Sequence, residues 1–196
     1  MRLLAVCLSL SLLTAAAPAQ ELLSNPGFES GPGDNWGKFG AADFNNFFGP
    51  NAHASLFMDN PGNFGGVFQS VSLPGAAGMT YKFDLLDVRI EDNAAANLRF
   101  GLEYYQADDS TSTGPATIVP IPLTTTGDGL SFSMTGTAPA GTAIVRPIIQ
   151  FDNVTSTASG QENAFVFDVS LTKVPEPGAA ALALVSSALL AVRRRR

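Results

Sequence analysis

Phe165-Val166-Phe167-Asp168-Val169-Ser170-Leu171 reads as a β-strand residue by residue. In an extended chain successive side chains point to opposite faces. Phe165, Phe167, Val169 and Leu171 therefore form one apolar row, with Val166, Asp168 and Ser170 on the other side. Working backwards, the same period recurs. Leu98, Phe100, Leu102 and Tyr104 alternate with Arg99, Gly101, Glu103 and Tyr105. Leu130, Phe132 and Met134 alternate with Ser131, Ser133 and Thr135, and Tyr81, Phe83 and Leu85 with Lys82, Asp84 and Leu86. Val67, Gln69 and Val71 share a side opposite Phe68 and Ser70. Each run predicts one row on a core and a wetter row outside. Residues 143–151 are apolar on both rows apart from Arg146 and Gln150, which predicts a more central strand. Residues 117–123 carry Pro120 and Pro122 and belong at an edge. No long stretch has a helical apolar period, and turn residues punctuate the chain throughout. About eight strands in two packed antiparallel sheets are expected, an all-β sandwich of jelly-roll type.

Composition narrows the chemistry. Between the two termini, residues 20–173 carry six basic residues (Lys38, Lys82, Arg89, Arg99, Arg146, Lys173) against sixteen acidic ones, a formal net charge of −10 where the whole chain carries −6. Such a domain repels nucleic acid and anionic lipid. It is compatible with neutral sugars and divalent cations. The chain has one cysteine, Cys7, and one histidine, His53. That count argues against disulfides in this span, against serine or cysteine triads and against multi-histidine zinc sites.

Both ends look like targeting segments. Arg2 is followed by an apolar run over 3–13, and Ala17-Pro18-Ala19 supplies the small residues of a cleavage site. This predicts a signal helix over 1–19 that signal peptidase removes before Gln20. Cys7 lies inside the apolar run, too early for a lipoprotein cysteine. At the other end, 174–196 read Val174-Pro175-Glu176-Pro177, then an uncharged stretch over 178–192, then Arg193, Arg194, Arg195 and Arg196. As a helix the apolar stretch extends about 22 Å, short of the about 30 Å hydrocarbon core, so it spans only with help from its flanks. The arginines hold it with the domain facing outward. The alternative is a C-terminal core helix with a basic tail.

The Pro-Glu-Pro, apolar helix and arginine tail resemble the PEP-CTERM sorting signal of Gram-negative envelope proteins. The resemblance implies transient anchoring in the inner membrane, processing near Pro175-Glu176-Pro177 by an exosortase, and delivery to the cell surface or extracellular matrix. Leu23-Ser24-Asn25-Pro26-Gly27-Phe28-Glu29-Ser30, followed by Trp36, resembles the opening of galactose-binding-like jelly rolls, which include many carbohydrate-binding modules. Gly66-Val67-Phe68-Gln69-Ser70-Val71, the stretch from Leu73-Pro74-Gly75 to Phe83, and the closing strand fit the same order. This likeness implies a non-catalytic domain for extracellular polysaccharide. It also implies a structural calcium where first and last strands meet, with Glu29 and Asp168 as matching residues.

Sugars are held by an aromatic face and a few hydrogen-bonding side chains. Trp36 and Tyr105, with Arg99 and Glu103 beside Tyr105, are the ligand candidates. Trp36 alternatively packs beneath the first loop, and Tyr105 alternatively just covers a sheet face. Phe39, Phe44, Phe47, Phe48, Phe57, Phe64 and Phe68 either fill the core or form an association surface. A structural surface protein assembling through protein contacts is thus the second functional reading. A glycoside hydrolase using Asp108 and Asp109 is a third. His53 starts a strand and is expected to be structural.

Overall fold

The computed structural model describes residues 19–29, 35–45, 52–91, 96–124, 126–155 and 163–175. The expected signal helix with Ala17, and Glu176, Pro177, the apolar stretch and Arg193, Arg194, Arg195 and Arg196, lie outside the described residues. Among the described residues no helix is long and apolar enough to cross a membrane. The chain divides into two units, and the larger, Gln20–Val174, holds every described strand.

These strands are β1 (Gly37–Gly40), β2 (Ala42–Asn45), β3 (His53–Phe57), β4 (Gly65–Phe68), β5 (Val71–Ser72), β6 (Thr80–Ile90), β7 (Asn97–Tyr105), β8 (Thr117–Pro120), β9 (Gly127–Thr137), β10 (Ile144–Asp152) and β11 (Asn163–Lys173). They outnumber the expected eight because β1, β2 and β5 have only four, four and two residues, too few for alternation to show. A front sheet runs β1-β4-β10-β7-β8, with β5 also pairing β10, and a back sheet runs β2-β3-β11-β6-β9. All pairings are antiparallel.

The inner rows make one core. Leu98, Phe100, Leu102 and Tyr104 of β7 face inward beside Val145, Ile149 and Phe151 of β10. They meet Leu56, Phe83, Leu85, Val88, Val166, Val169 and Leu171 of the back sheet. Phe83 and Phe100 join the two layers with ring centroids 5.8 Å apart. β10 takes the centre of the front sheet and β8 its edge, as the sequence pattern predicts.

Pro147 sits in a central strand, where a missing N–H is normally costly. It is tolerated because β5 pairs Ile144 and Val145 while β4 pairs Ile148 through Phe151, so the proline falls in the gap between them. Gln69 closes that gap. Its N–H donates to Pro147 O at 3.2 Å, and its buried side chain accepts from Ser24 N and donates to Ser24 O, both at 2.8 Å.

Phe165, Phe167, Val169 and Leu171 do not form a single core row. Register shifts flank Asp168, so the row changes face at a β-bulge. Ala164 and Val166 belong to the core before it, and Val169 and Leu171 after it. Phe165 and Phe167 turn outward against His53, with centroids 5.4 and 4.9 Å away, and the Arg89 guanidinium lies 6.0 Å from the Phe165 ring. His53 is fully buried in this cluster, a structural position.

Candidate functional site

The outer face of the front sheet gathers the polar and aromatic residues of four strands. Strand parity puts Arg99, Glu103 and Tyr105 of β7 on it, opposite the buried row. Their register partners Gln150, Arg146 and Ile144 share it from β10. Phe68 joins from β4 and Phe39 from β1. Two glycines let these rings lie on the sheet. A Cβ on Gly37 would stand 2.5 Å from Phe68 Cζ, and one on Gly66 would stand 2.8 Å from Phe39 Cζ. Phe39 and Phe68 are 6.5 Å apart and tilted by 41°.

Arg146 is the centre of the face. Its guanidinium carbon lies 4.0 Å from the Tyr105 ring centroid and 4.9 Å from that of Phe68, both within cation–π range. Nε donates to Ser70 Oγ at 3.0 Å, and Nη2 to Asp109 Oδ1 at 2.8 Å and to Asp109 O at 3.1 Å. Glu103 Oε2 is 3.6 Å from Nη1 and accepts the Tyr105 hydroxyl at 3.0 Å. The arginine side chain is 15% exposed, so the fork is fixed while one edge stays open. Burial, and then the Glu103 carboxylate, push the Tyr105 hydroxyl above its ordinary pKa, so it remains a donor at neutral pH. At the far end of the face Arg99 pairs with Asp152, which also accepts from Asn97 Nδ2 at 3.0 Å. Arg99 and Tyr105 are six residues apart, about 20 Å along the strand. A shallow hollow of about 350 Å³ beside Arg99 is lined by Ile118, Pro120 and Leu123.

The structure thus puts Arg99, Glu103 and Tyr105 on one face, with Glu103 and Tyr105 in contact and Arg99 at the far end, and separates Trp36 from them. Trp36 is 6% exposed, its ring 5.1 Å from Phe28, and its Nε1 donates to Asn25 O at 3.2 Å. It packs under the first loop and offers no platform. The Phe-rich stretch is divided: Phe44 is in the core, Phe39 and Phe68 lie on the front face, and Phe64 is 59% exposed. Asp108 and Asp109 face different partners. Asp108 accepts Thr111 Oγ1, Thr111 N and Ser110 N at 2.6, 2.9 and 3.1 Å, and these bonds hold its carboxyl well below the usual range. Asp109, at φ 55°, is turned back onto Arg146.

A second cleft, of about 440 Å³, opens on the other side of the sandwich and is lined by Asn25, Pro26, Gly27, Glu29, Asp87, Phe167 and Asp168. The β11 bulge builds it. β6 shifts register at the same level, so Asp87 and Asp168 become direct cross-strand partners. Like charges directly opposite destabilise a sheet. Burial, then Glu21, Asp87 and Glu29, push the Asp168 carboxyl above its ordinary value. Asn25 (φ 53°) and Phe28 (φ 58°) take left-handed backbone to swing residues 25–28 over the bulge, and Val169 N donates to Pro26 O at 3.2 Å. The donors facing this cleft are hard oxygens that suit calcium. Among the described residues no three His, Cys, Asp or Glu side chains are arranged to hold a metal by themselves. Backbone carbonyls would have to complete the shell around Glu29, Asp87 and Asp168.

Sequence reasoning missed Arg146 and Ser70 as site residues, although Arg146 stood out as a charge in an apolar run; Phe68 it placed only in the Phe-rich stretch, as core or association surface. It also missed Asp87, which nothing in the alternation marks.

No family model and no curated protein matches the sequence. Solved structures do match the fold. The module TmCBM61, solved with β-1,4-galactotriose, superposes with a TM-score of 0.55 at 18% identity, over 80% of this chain and 100% of that one. The CBM22-1 xylan-binding domain of Paenibacillus barcinonensis Xyn10C gives 0.50 at 14% identity, over 83% and 99%. The enzymatically active domain of bacteriophage CBA120 tailspike protein 4 gives 0.60 at 8% identity, over 79% of this chain but only 21% of that one. The chain folds as the antiparallel jelly-roll sandwich that carbohydrate-binding modules share.

Proposed function

We propose that this is an exported, non-catalytic glycan-binding protein that takes a polysaccharide along the outer face of the front sheet. The observation that carries the proposal is the Arg146 guanidinium, fixed against Tyr105 and Phe68 by Ser70, Glu103 and Asp109. With Nε held by Ser70 and Nη2 by Asp109, Nη1 is the guanidinium nitrogen left to donate to a sugar hydroxyl, and the partly exposed rings take the apolar face of a sugar. The likeness to carbohydrate-binding modules supports the same reading at the level of fold. A glycan array probed with the purified protein tests it. Retention of neutral polysaccharides that is lost in Tyr105→Ala supports the proposal. No retention of any glycan overturns it.

Glu29, Asp87 and Asp168 hold a structural calcium in this reading. Bound at about a hundred times its Kd, the ion adds about 2.7 kcal/mol, or roughly 5–10 °C in Tm. Asp168→Asn is expected to raise the melting temperature of the metal-free protein, because it removes a charge opposite Asp87, and to abolish the gain from calcium. A raised folded pKa means the native state binds that proton more tightly than the unfolded chain does. The Asp168 penalty is therefore full above its folded pKa and fades as pH falls through it. Calcium stabilisation should shrink over the same acid range. Melting curves with calcium and with a chelator, across that range, check both signs. A Tm indifferent to calcium removes the metal from the reading.

Signal peptidase and an exosortase complete the route: cleavage after Ala19, transient residence in the inner membrane, then the cell surface or matrix of a Gram-negative bacterium. Replacing Pro175, Glu176 and Pro177 with alanine is expected to leave the protein in the membrane fraction. Unchanged release of that variant would remove the processing step.

A further inference from the structure

We propose that β9 is a self-association edge, through which two copies of this chain pair antiparallel into one continuous back sheet. β9 ends the back sheet, and among the described residues only β6 pairs with it. An edge strand presents unpaired N–H and C=O groups on every second residue, and proteins ordinarily blunt it with charge, proline or brevity. The other edges are blunted. β1 is four residues long and contains Lys38, β2 is four with Asp43, and β8 is four with Pro120. β9 has eleven residues, and Gly129-Leu130-Ser131-Phe132-Ser133-Met134-Thr135-Gly136-Thr137 carries neither charge nor proline. Its only charge, Asp128, lies at the end where the β6 register shifts. From Phe132 to Thr137 the pairing with β6 is unbroken.

The occupant is a second copy on three grounds. The domain is strongly acidic, so two copies approach most easily along an uncharged edge, and β9 is the longest edge strand among the described residues. An identical antiparallel strand continues both side-chain rows. The outer row of Ser131, Ser133, Thr135 and Thr137 meets its own hydroxyls, and the half-buried Leu130 and Phe132 gain cover. An exposed apolar residue also borders the edge: Leu86, 47% exposed, lines a shallow depression with Phe132, Ser131 and Ser133, where the only charges, Lys82 and Asp84, neutralise each other as an ion pair at 2.8 Å. A single strand pair buries less than the roughly 1,200 Å² of a tight complex, so the dimer is weak and forms at high local concentration, as on a cell surface.

The geometry has a consequence for binding. The two-fold axis that joins identical antiparallel edges runs perpendicular to the sheet. Both front sheets then lie on the same side, and their outer faces point the same way. That consequence rests on the glycan reading; the dimer does not.

Sedimentation of the full chain in mild detergent, over a hundredfold range of concentration, tests the proposal. The wild type should show a concentration-dependent monomer–dimer equilibrium. S133K/T135K and S133D/T135D change exposed side chains, so melting should be unaltered, but each should weaken self-association by at least about tenfold through like-charge repulsion. An equimolar mixture of the two should restore the dimer. A monomeric wild type overturns the proposal. So does association that survives in both variants, which is the outcome if the apolar ends of the chain hold the copies together. Glycan binding measured on the same samples stands or falls separately.

Discussion

Arg146→Ala is expected to weaken glycan binding about 30-fold, or roughly 2 kcal/mol, the cost of truncating a well-packed arginine at the centre of a recognition face. The side chain does two things that alanine cannot. It supplies a planar set of donors, and it fills the space between the Tyr105 and Phe68 rings. Without it the Glu103 and Asp109 carboxylates lose the cation between them, and Asp109, at φ 55°, loses what draws its loop onto the sheet. Arg146→Lys keeps the charge but not the fork or the stacked plane, and should recover only part of the loss. Glu103→Gln keeps an acceptor for the Tyr105 hydroxyl and should cost at most about 1 kcal/mol. Titration calorimetry with the best oligosaccharide from the array gives the three affinities. The Tm of all three should fall by only a few degrees, since partly exposed ion pairs contribute about 0–1 kcal/mol each. Equal affinities for wild type and Arg146→Ala would move the binding site off this face.

How far the sequence carries such a site depends on which constraint sets each residue. Alternation alone places Arg99, Glu103 and Tyr105 on one wet row, because β7 pairs regularly along its whole length. The same logic marks Arg146 and Gln150 as outward exceptions in the apolar run of β10, but not that Arg146 meets Ser70. That contact exists because Pro147 leaves a gap between β4 and β5. Asp109 reaches the site through a left-handed backbone turn, which no side-chain pattern encodes. The back sheet shows the clearest failure. A period of two assumes an unbroken ladder, and the β11 bulge breaks it at Asp168. Glu29 and Asp168 can be paired by resemblance, yet Asp87 enters their cleft only because β6 shifts at the same level.

Phe28 connects that cleft to the core, and Phe28→Ala is expected to cost about 3–5 kcal/mol, roughly 10 °C in Tm. The ring has no exposed surface and packs 5.1 Å from Trp36 and 5.9 Å from Phe44. Its backbone is left-handed, at φ 58°, a conformation that costs a residue with a Cβ about 1 kcal/mol or more. Burial of the ring must outweigh that strain. Removing the ring but keeping the Cβ loses the burial and keeps the strain. Phe28→Gly loses the same burial but relaxes the backbone, so it should be less destabilising than Phe28→Ala, the reverse of the usual order for these two residues. Leu86→Ala, at a 47% exposed position, should change stability by about 0.5 kcal/mol or less and serves as the control. Denaturant unfolding of the three variants reads the order directly. Because the turn over 25–28 lines the acidic cleft, Phe28→Ala should also blunt the response to calcium while leaving glycan affinity on the opposite sheet unchanged. Alanine more stable than glycine at this position would mean that the positive φ is no burden to the native chain. The left-handed turn would then owe nothing to the buried ring, and the coupling between core and cleft would be lost.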